Sequence, residues 1–227
     1  MSRRVTSAAL FYALIGLILI APGHNPTDWG GVAYRICVFS TLLLALRTVS
    51  DSPAHWRLGL FFTTIAALCN VVVVATGNPT LVPLSLTCIM LFSVQLAVVK
   101  IRRTLLSPRV TRDMIYSAMT AYMVAGLAWC TAYLLTEKLH PGSFLGAIHH
   151  DKYFATVSPA DMIYFSVSTM TTAGYGDILP VSPMARNLAC LQMLFGTMYP
   201  SVILARLVGL HSSGHRSQPP HCERPAS

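Results

Sequence analysis

Apolar residues along this chain come in long blocks separated by short polar or basic stretches, not at the three-to-four spacing of an amphipathic helix. Six blocks, at about 5–21, 31–47, 58–76, 81–99, 114–136 and 187–210, reach the roughly 17–25 residues a helix needs to cross a ~30 Å hydrocarbon core. A seventh, 159–170, is too short to cross at ~1.5 Å per residue. It fits a re-entrant half-helix, which is tolerated at membrane depth when protein surrounds it. Ser158-Pro159-Ala160-Asp161 marks its start. Serine can cap, proline suits the first helical position, and Asp161 can close a capping box. The predicted fold class is an all-α membrane protein, with six transmembrane helices plus a re-entrant helix and the loop that follows it.

Composition agrees with this pattern. Of 227 residues, 54% are apolar and only 11% charged, against ~25% charged in ordinary soluble domains. A net charge of +8 could suggest nucleic acid, but the basic residues lie in short loops with few aromatics among them, so no nucleic-acid partner is expected. Such loops orient a membrane protein. With the N-terminus inside, only Arg35, Lys138, Lys152 and Arg186 fall outside, and the other twelve of the sixteen basic residues are cytoplasmic. The expectation is a multi-pass protein of a plasma membrane of the bacterial inner-membrane kind, with both termini cytoplasmic. The first block is expected to be retained, because Ile20-Ala21-Pro22-Gly23 is a poor signal-cleavage site. Five of the six cysteines sit inside apolar blocks without CxxC spacing and read as packing residues.

The expected organisation is a four-span membrane domain at 1–99, a basic cytoplasmic linker at 100–112, a second membrane domain at 113–210 and a disordered cytoplasmic tail at 211–227. A voltage sensor needs arginines within its moving helix. Residues 81–99 contain neither Arg nor Lys, so such a sensor is not expected. The five positive charges of Lys100–Arg112 are explained by topology. Contact with anionic lipid is the sharper alternative, at ~1 kcal/mol per basic residue near the surface. The loop 137–157, with His140, His149 and His150, is long enough to be functional or mobile.

The richest chemistry lies in Thr171-Thr172-Ala173-Gly174-Tyr175-Gly176-Asp177, between the short apolar helix and the last span. A cation leaving water needs its hydration shell replaced, and a loop whose carbonyls face one axis can do that. Gly174 and Gly176 permit the backbone angles that keep carbonyls turned inward. Thr172 adds a hydroxyl oxygen, and Tyr175 can brace the loop. The short helix would aim its negative dipole end at the membrane centre, favouring a cation there. One such loop cannot enclose an ion, so rings of four and a homotetramer are expected.

Residues 113–210 resemble the pore domain of tetrameric potassium channels: outer helix, pore helix, filter and inner helix. The resemblance implies that the carbonyls of Thr172, Ala173, Gly174 and Tyr175, closed by Gly176, line the ion sites together with the Thr172 hydroxyl. K+ is then the permeant ion, held only at the filter residues. Thr171, Asp177 and Tyr164 fall at filter-supporting positions, Tyr164 where the family has an aromatic that donates to the acid. Gly196 matches the hinge glycine of the inner helix. Pro200, four residues later, cannot donate to the carbonyl of residue 196, and the pair reads as a gating hinge or as a close-packing glycine beside a fixed kink. Ala173 stands where Val or Ile is usual, and Ser168 where some bacterial members carry Glu.

The function implied is passive, potassium-selective conduction without an arginine voltage sensor. A nonselective cation channel, and a non-conducting membrane sensor or accessory subunit, are the alternatives. The chain is not expected to be an enzyme and no cofactor is expected, since no nucleophile–base set, metal-ligand spacing or phosphate loop is present in the sequence. The partners expected are its own copies and membrane lipid.

Overall fold

A computed structural model describes residues 2–20, 38, 40–47, 53–76, 79–108, 110–146 and 157–215. Helix α1 spans Ser2–Ile20, α2 covers residues 40–47, α3 spans Pro53–Thr76 and a 3-10 turn, Pro79–Leu81, leads into α4, Val82–Leu106. Then follow α5 (Arg112–Leu139), the short strand β1 (Phe144–Gly146), α6 (Pro159–Met170), β2 (Ile178–Pro180) and α7 (Pro183–His215). Apart from the two strands, which pair antiparallel with Leu145 opposite Leu179, every regular element described is helical.

Four described helices are long and apolar enough to cross a membrane: His55–Val73, Val82–Leu106, Arg112–Leu139 and Pro183–Leu210. Ser7–Leu19 is apolar but shorter. Much of the block at 31–47 lies outside the described residues, as do Arg35, His149, His150 and the chain after residue 215. The protein is an all-α membrane protein, as the apolar blocks predict.

Two expected boundaries move. The basic linker starts as helix, because α4 runs on through Lys100, Arg102 and Arg103 to Leu106. The tail expected from 211 also begins as helix, because α7 continues to His215. No proline interrupts the chain between Pro200 and Pro219, so the hydrogen-bond ladder propagates beyond the last apolar residues, each step adding one bond to an existing helix.

The helices are arranged around α5, which packs against α4, α1, α6 and α7, while α3 lies on α4. One apolar cluster joins Leu10 and Leu14 of α1, Leu42 and Leu46 of α2, Phe92 and Leu96 of α4, and Val124 of α5 to Met170, the last residue of α6. A second joins Tyr133, Phe144, Met162, Phe165, Ile178 and Ala189. The front helices are thus continuous with the core behind the short helix. Hydroxyls within the apolar helices mostly bond one turn back, as Thr63 does to Gly59 O at 2.8 Å and Thr104 to Lys100 O at 3.0 Å, so they bring no unsatisfied donor into the membrane.

Lys100 departs from its expected role. It is 1% exposed and its Nζ donates to Ser7 Oγ at 3.2 Å. It therefore ties α4 to α1, and does not face lipid headgroups. Arg102 and Arg112 are exposed and keep that option.

Candidate functional site

The short helix begins as its sequence signal requires. Ser158 Oγ accepts from the Asp161 amide at 3.2 Å, and Asp161 Oδ2 accepts from the Ser158 amide at 2.8 Å, with Pro159 in the first turn. Both early orphan donors are satisfied reciprocally. The helix has 12 residues, about 18 Å at ~1.5 Å each, short of the ~30 Å needed to cross a bilayer. At its end the chain turns into residues 171–177.

The amides at that turn are consumed by the last helical carbonyls. Thr171 N–H donates to Val167 O at 2.9 Å and Thr172 N–H to Thr169 O at 3.2 Å. Ala173 and Gly174 both donate to Ser168 O, at 2.9 and 3.2 Å. Among the described residues, no hydrogen bond uses the carbonyls of Thr172, Ala173, Gly174 or Tyr175. The donors point back into the protein and the acceptors are left over.

The sign of φ alternates along this loop. Thr172, Gly174 and Gly176 have φ of 61°, 55° and 79°, whereas Ala173 and Tyr175 lie at negative φ. The two glycines were legible as the residues that allow this. Thr172 was not, because a β-branched residue at positive φ is a genuine outlier. Such a conformation costs of order 1–3 kcal/mol and persists where its surroundings over-determine it; here the tethers to Ser168 and Thr169 do so. Residues 171–176 are all exposed in the single chain, Tyr175 at 72%.

The outer end is braced. The rings of Tyr164 and Tyr175 stack at 5.9 Å and 10°, and the Tyr164 hydroxyl lies near Asp177. Asp177 Oδ1 also accepts from the Ile178 amide at 3.1 Å. Beyond it, β2 pairs with β1, and β1 is pinned by Glu137. That carboxylate accepts from the Gly142 amide at 2.8 Å and the Phe144 amide at 3.1 Å. Ser143 O further accepts from the Val181 amide at 2.8 Å. Thr171 Oγ1 caps the inner end by donating to Val167 O at 2.8 Å.

Behind the inner end, the last turn of α6 is gripped from two helices. The Tyr122 hydroxyl donates to Met170 O at 2.8 Å, and Tyr122 stacks on Tyr199 of α7 at 5.8 Å. A Cβ at Gly196 would collide with Met170 O and lie 3.0 Å from the Met170 Cα. Gly196 is therefore a close-approach glycine as well as a helical one. Helix α7 is continuous through Pro200.

Sequence reading missed Gln192. It is 0% exposed; its Nε2 donates to Ser166 O at 3.0 Å and to Ser166 Oγ at 2.7 Å, and its Oε1 accepts from the Tyr133 hydroxyl. Ser166 Oγ in turn donates to Gly126 O at 2.7 Å. A buried amide within an apolar span was the available signal.

A capped half-helix, a loop of unclaimed carbonyls and two flanking apolar helices are brought together here. Residues 122–211 match the profile of a family described as "Ion channel". Over 75 residues the chain is 37% identical to two pore potassium channel b of Oryza sativa subsp. japonica, covering 33% of this chain and 21% of that protein. It is 33% identical over 81 residues to the inward rectifier potassium channel Kirbac3.1 of Paramagnetospirillum magnetotacticum (34% and 22%), and 33% identical over 78 residues to two-pore potassium channel 5 of Arabidopsis thaliana (34% and 19%). The chain thus spans about a fifth of the length of the curated relatives it matches. No solved structure matches. The resemblance seen at the filter motif is borne out: residues 122–211 match an ion-channel profile, and the relatives they resemble are potassium channels.

Proposed function

We propose that four copies of this chain form a potassium-selective channel that passes K+ passively through a ring of main-chain carbonyls. The observation that carries this reading is the alternation of positive φ at Thr172, Gly174 and Gly176, with the amides of Thr171, Thr172, Ala173 and Gly174 bonded to the end of α6 and four carbonyls left without partners among the described residues. Carbonyls of Thr172, Ala173, Gly174 and Tyr175 and the Thr172 hydroxyl would replace the ion's water. The C-terminal end of α6 favours a cation at the inner side by its dipole. Exposure of the whole loop in a single chain, and of apolar residues along α7 such as Leu191, Leu194, Met198 and Val202, supports closure by neighbouring copies around a four-fold axis.

Tyr164, Thr171 and Asp177 act as filter supports. Gly196 and Pro200 form the bend of the inner helix. Basic loops set both termini on the cytoplasmic side of a plasma membrane, and Arg102 and Arg112 meet anionic headgroups. Helices α1 and α4, packed on α5, and α3, packed on α4, form a membrane collar without a moving arginine helix.

The test is the reversal potential of purified full-length protein in liposomes, with K+ on one side and Na+ on the other. The proposal expects a potential close to the K+ equilibrium value, lost in Gly174→Ala. A potential near zero in the unaltered protein would favour a nonselective cation channel, with Ala173 leaving the filter loosely backed. Absence of any flux would favour a sensor or accessory subunit.

A further inference from the structure

The described membrane segments hold one polar cluster that joins all three pore elements and is fully enclosed by them. Tyr133 of α5, Ser166 of α6 and Gln192 of α7 are 0%, 1% and 0% exposed. Both Gln192 Nε2 protons are used, on the Ser166 carbonyl and hydroxyl, while Oε1 takes the Tyr133 proton. The Ser166 hydroxyl in turn donates a hydrogen bond to the Gly126 carbonyl. Every strong donor in the set has an acceptor, so the cluster has one arrangement of bonds and resists sliding of one helix past another.

Its position relates it to the filter. Ser166 is two residues before Ser168, whose carbonyl holds the Ala173 and Gly174 amides. Four residues after Ser166, Met170 is held by Tyr122 and abutted by Gly196. The final turn of α6 is the anchor from which the carbonyl loop hangs, and Gln192 is the only described α7 side chain that donates to α6. Thr131, whose hydroxyl bonds Leu127 O and Ala128 O, fixes nothing between elements, whereas the Tyr122 and Tyr199 hydroxyls add links from α5 to Met170 O and from α7 to Ala118 O.

We infer that Gln192, with Tyr133 and Ser166, is a specificity-determining positioning residue: it sets the depth and rotation of α6 and through them the spacing of the Ala173 and Gly174 carbonyls. The inference rests on the channel reading above. It does not require Gln192 to touch the ion. A filter that discriminates two ions of unlike radius needs its carbonyls held in register, and a loop that is exposed on the ion side can be held only from behind.

The experiment compares the sodium-to-potassium permeability ratio, from reversal potentials of full-length protein in liposomes, for the unaltered chain, Gln192→Met, Tyr133→Phe, their double variant and Thr131→Val. Tetramer yield after size exclusion accompanies each measurement. The inference expects the ratio to rise at least tenfold in Gln192→Met and about threefold in Tyr133→Phe. The double variant should be no worse than Gln192→Met alone, because the two groups share one bond. Thr131→Val, which removes a buried hydroxyl bonded only inside α5, should leave the ratio unchanged. Should Gln192→Met fail to assemble, Tyr133→Phe and Ser166→Ala decide, and an unchanged ratio in both overturns the inference. An unaltered chain that is selective beside a selective Gln192→Met sinks the positioning role alone; an unaltered chain without selectivity sinks the channel reading and this inference with it.

Discussion

Gly196→Ala separates close packing from helix flexibility, and its cost can be worked from the contact. The added Cβ would overlap Met170 O and stand 3.0 Å from both the Met170 Cα and its carbonyl carbon. These are main-chain atoms at the end of α6, so no side chain can rotate away. Relief requires α6 and α7 to separate by a sizeable fraction of an ångström. Overpacking of this kind costs about 1–3 kcal/mol. Loosening the Tyr122 bond to Met170 O, which shares that carbonyl, adds ~0.6 kcal/mol by the average for polar contacts between membrane helices. Alanine returns ~1 kcal/mol of helix propensity over glycine. The packing terms win by about 1–2 kcal/mol.

Thermal dissociation of the detergent-solubilised protein should therefore fall by roughly 2–8 °C, at 2–4 °C per kcal/mol for a chain of this size. Gly16→Ala in α1, where the new Cβ meets nothing within 4 Å, is the matched control and should be neutral or stabilising. If Gly196→Ala were as stable as the unaltered chain, α7 would not lie against Met170 as described. The reasoning about the last turn of α6 would then fail.

Three further outcomes are expected. Glu137→Ala removes the acceptor of the Gly142 and Phe144 amides; being partly solvated, the loss should be about 1–2 kcal/mol, seen as faster hydrogen exchange across 142–146 with helix α5 unchanged. Tyr164→Phe keeps the stacking on Tyr175 and deletes the hydroxyl near Asp177; sustained K+ currents should decline faster under prolonged activation, and identical decay would remove the brace. Pro200→Ala restores a donor opposite the Gly196 carbonyl without adding bulk at the α6 contact. It should lower open probability several-fold in single-channel records if the bend gates, whereas unchanged opening would leave Gly196 with its packing role only.

The parts legible in the sequence were those whose physics is local. Ser158 and Asp161 meet as a capping box because that motif needs only four residues. Gly174 and Gly176 announced positive φ because nothing else adopts it cheaply. Thr172 hides the same conformation behind a side chain that disfavours it, and only the bonds to Ser168 and Thr169 reveal why it is tolerated. Lys100 looked like a cytoplasmic anchor because charge near a span end normally is one; its burial against Ser7 depends on how α1 and α4 meet, 93 residues apart. Gln192 and Gly196 likewise acquire meaning only from α6. Strands β1 and β2, three residues each, are too short to display any alternation.

The central claim is that four chains surround an alkali ion with the main-chain oxygens of residues 172–175. A cryo-electron microscopy map of the full-length protein in lipid nanodiscs with K+ tests it most directly. The account predicts four-fold symmetry and a column of ion density on the axis at the level of those carbonyls, weakened when K+ is replaced by Na+. A monomer or dimer, or a four-fold assembly with the carbonyls of Ala173 and Gly174 turned away from the axis, would contradict it.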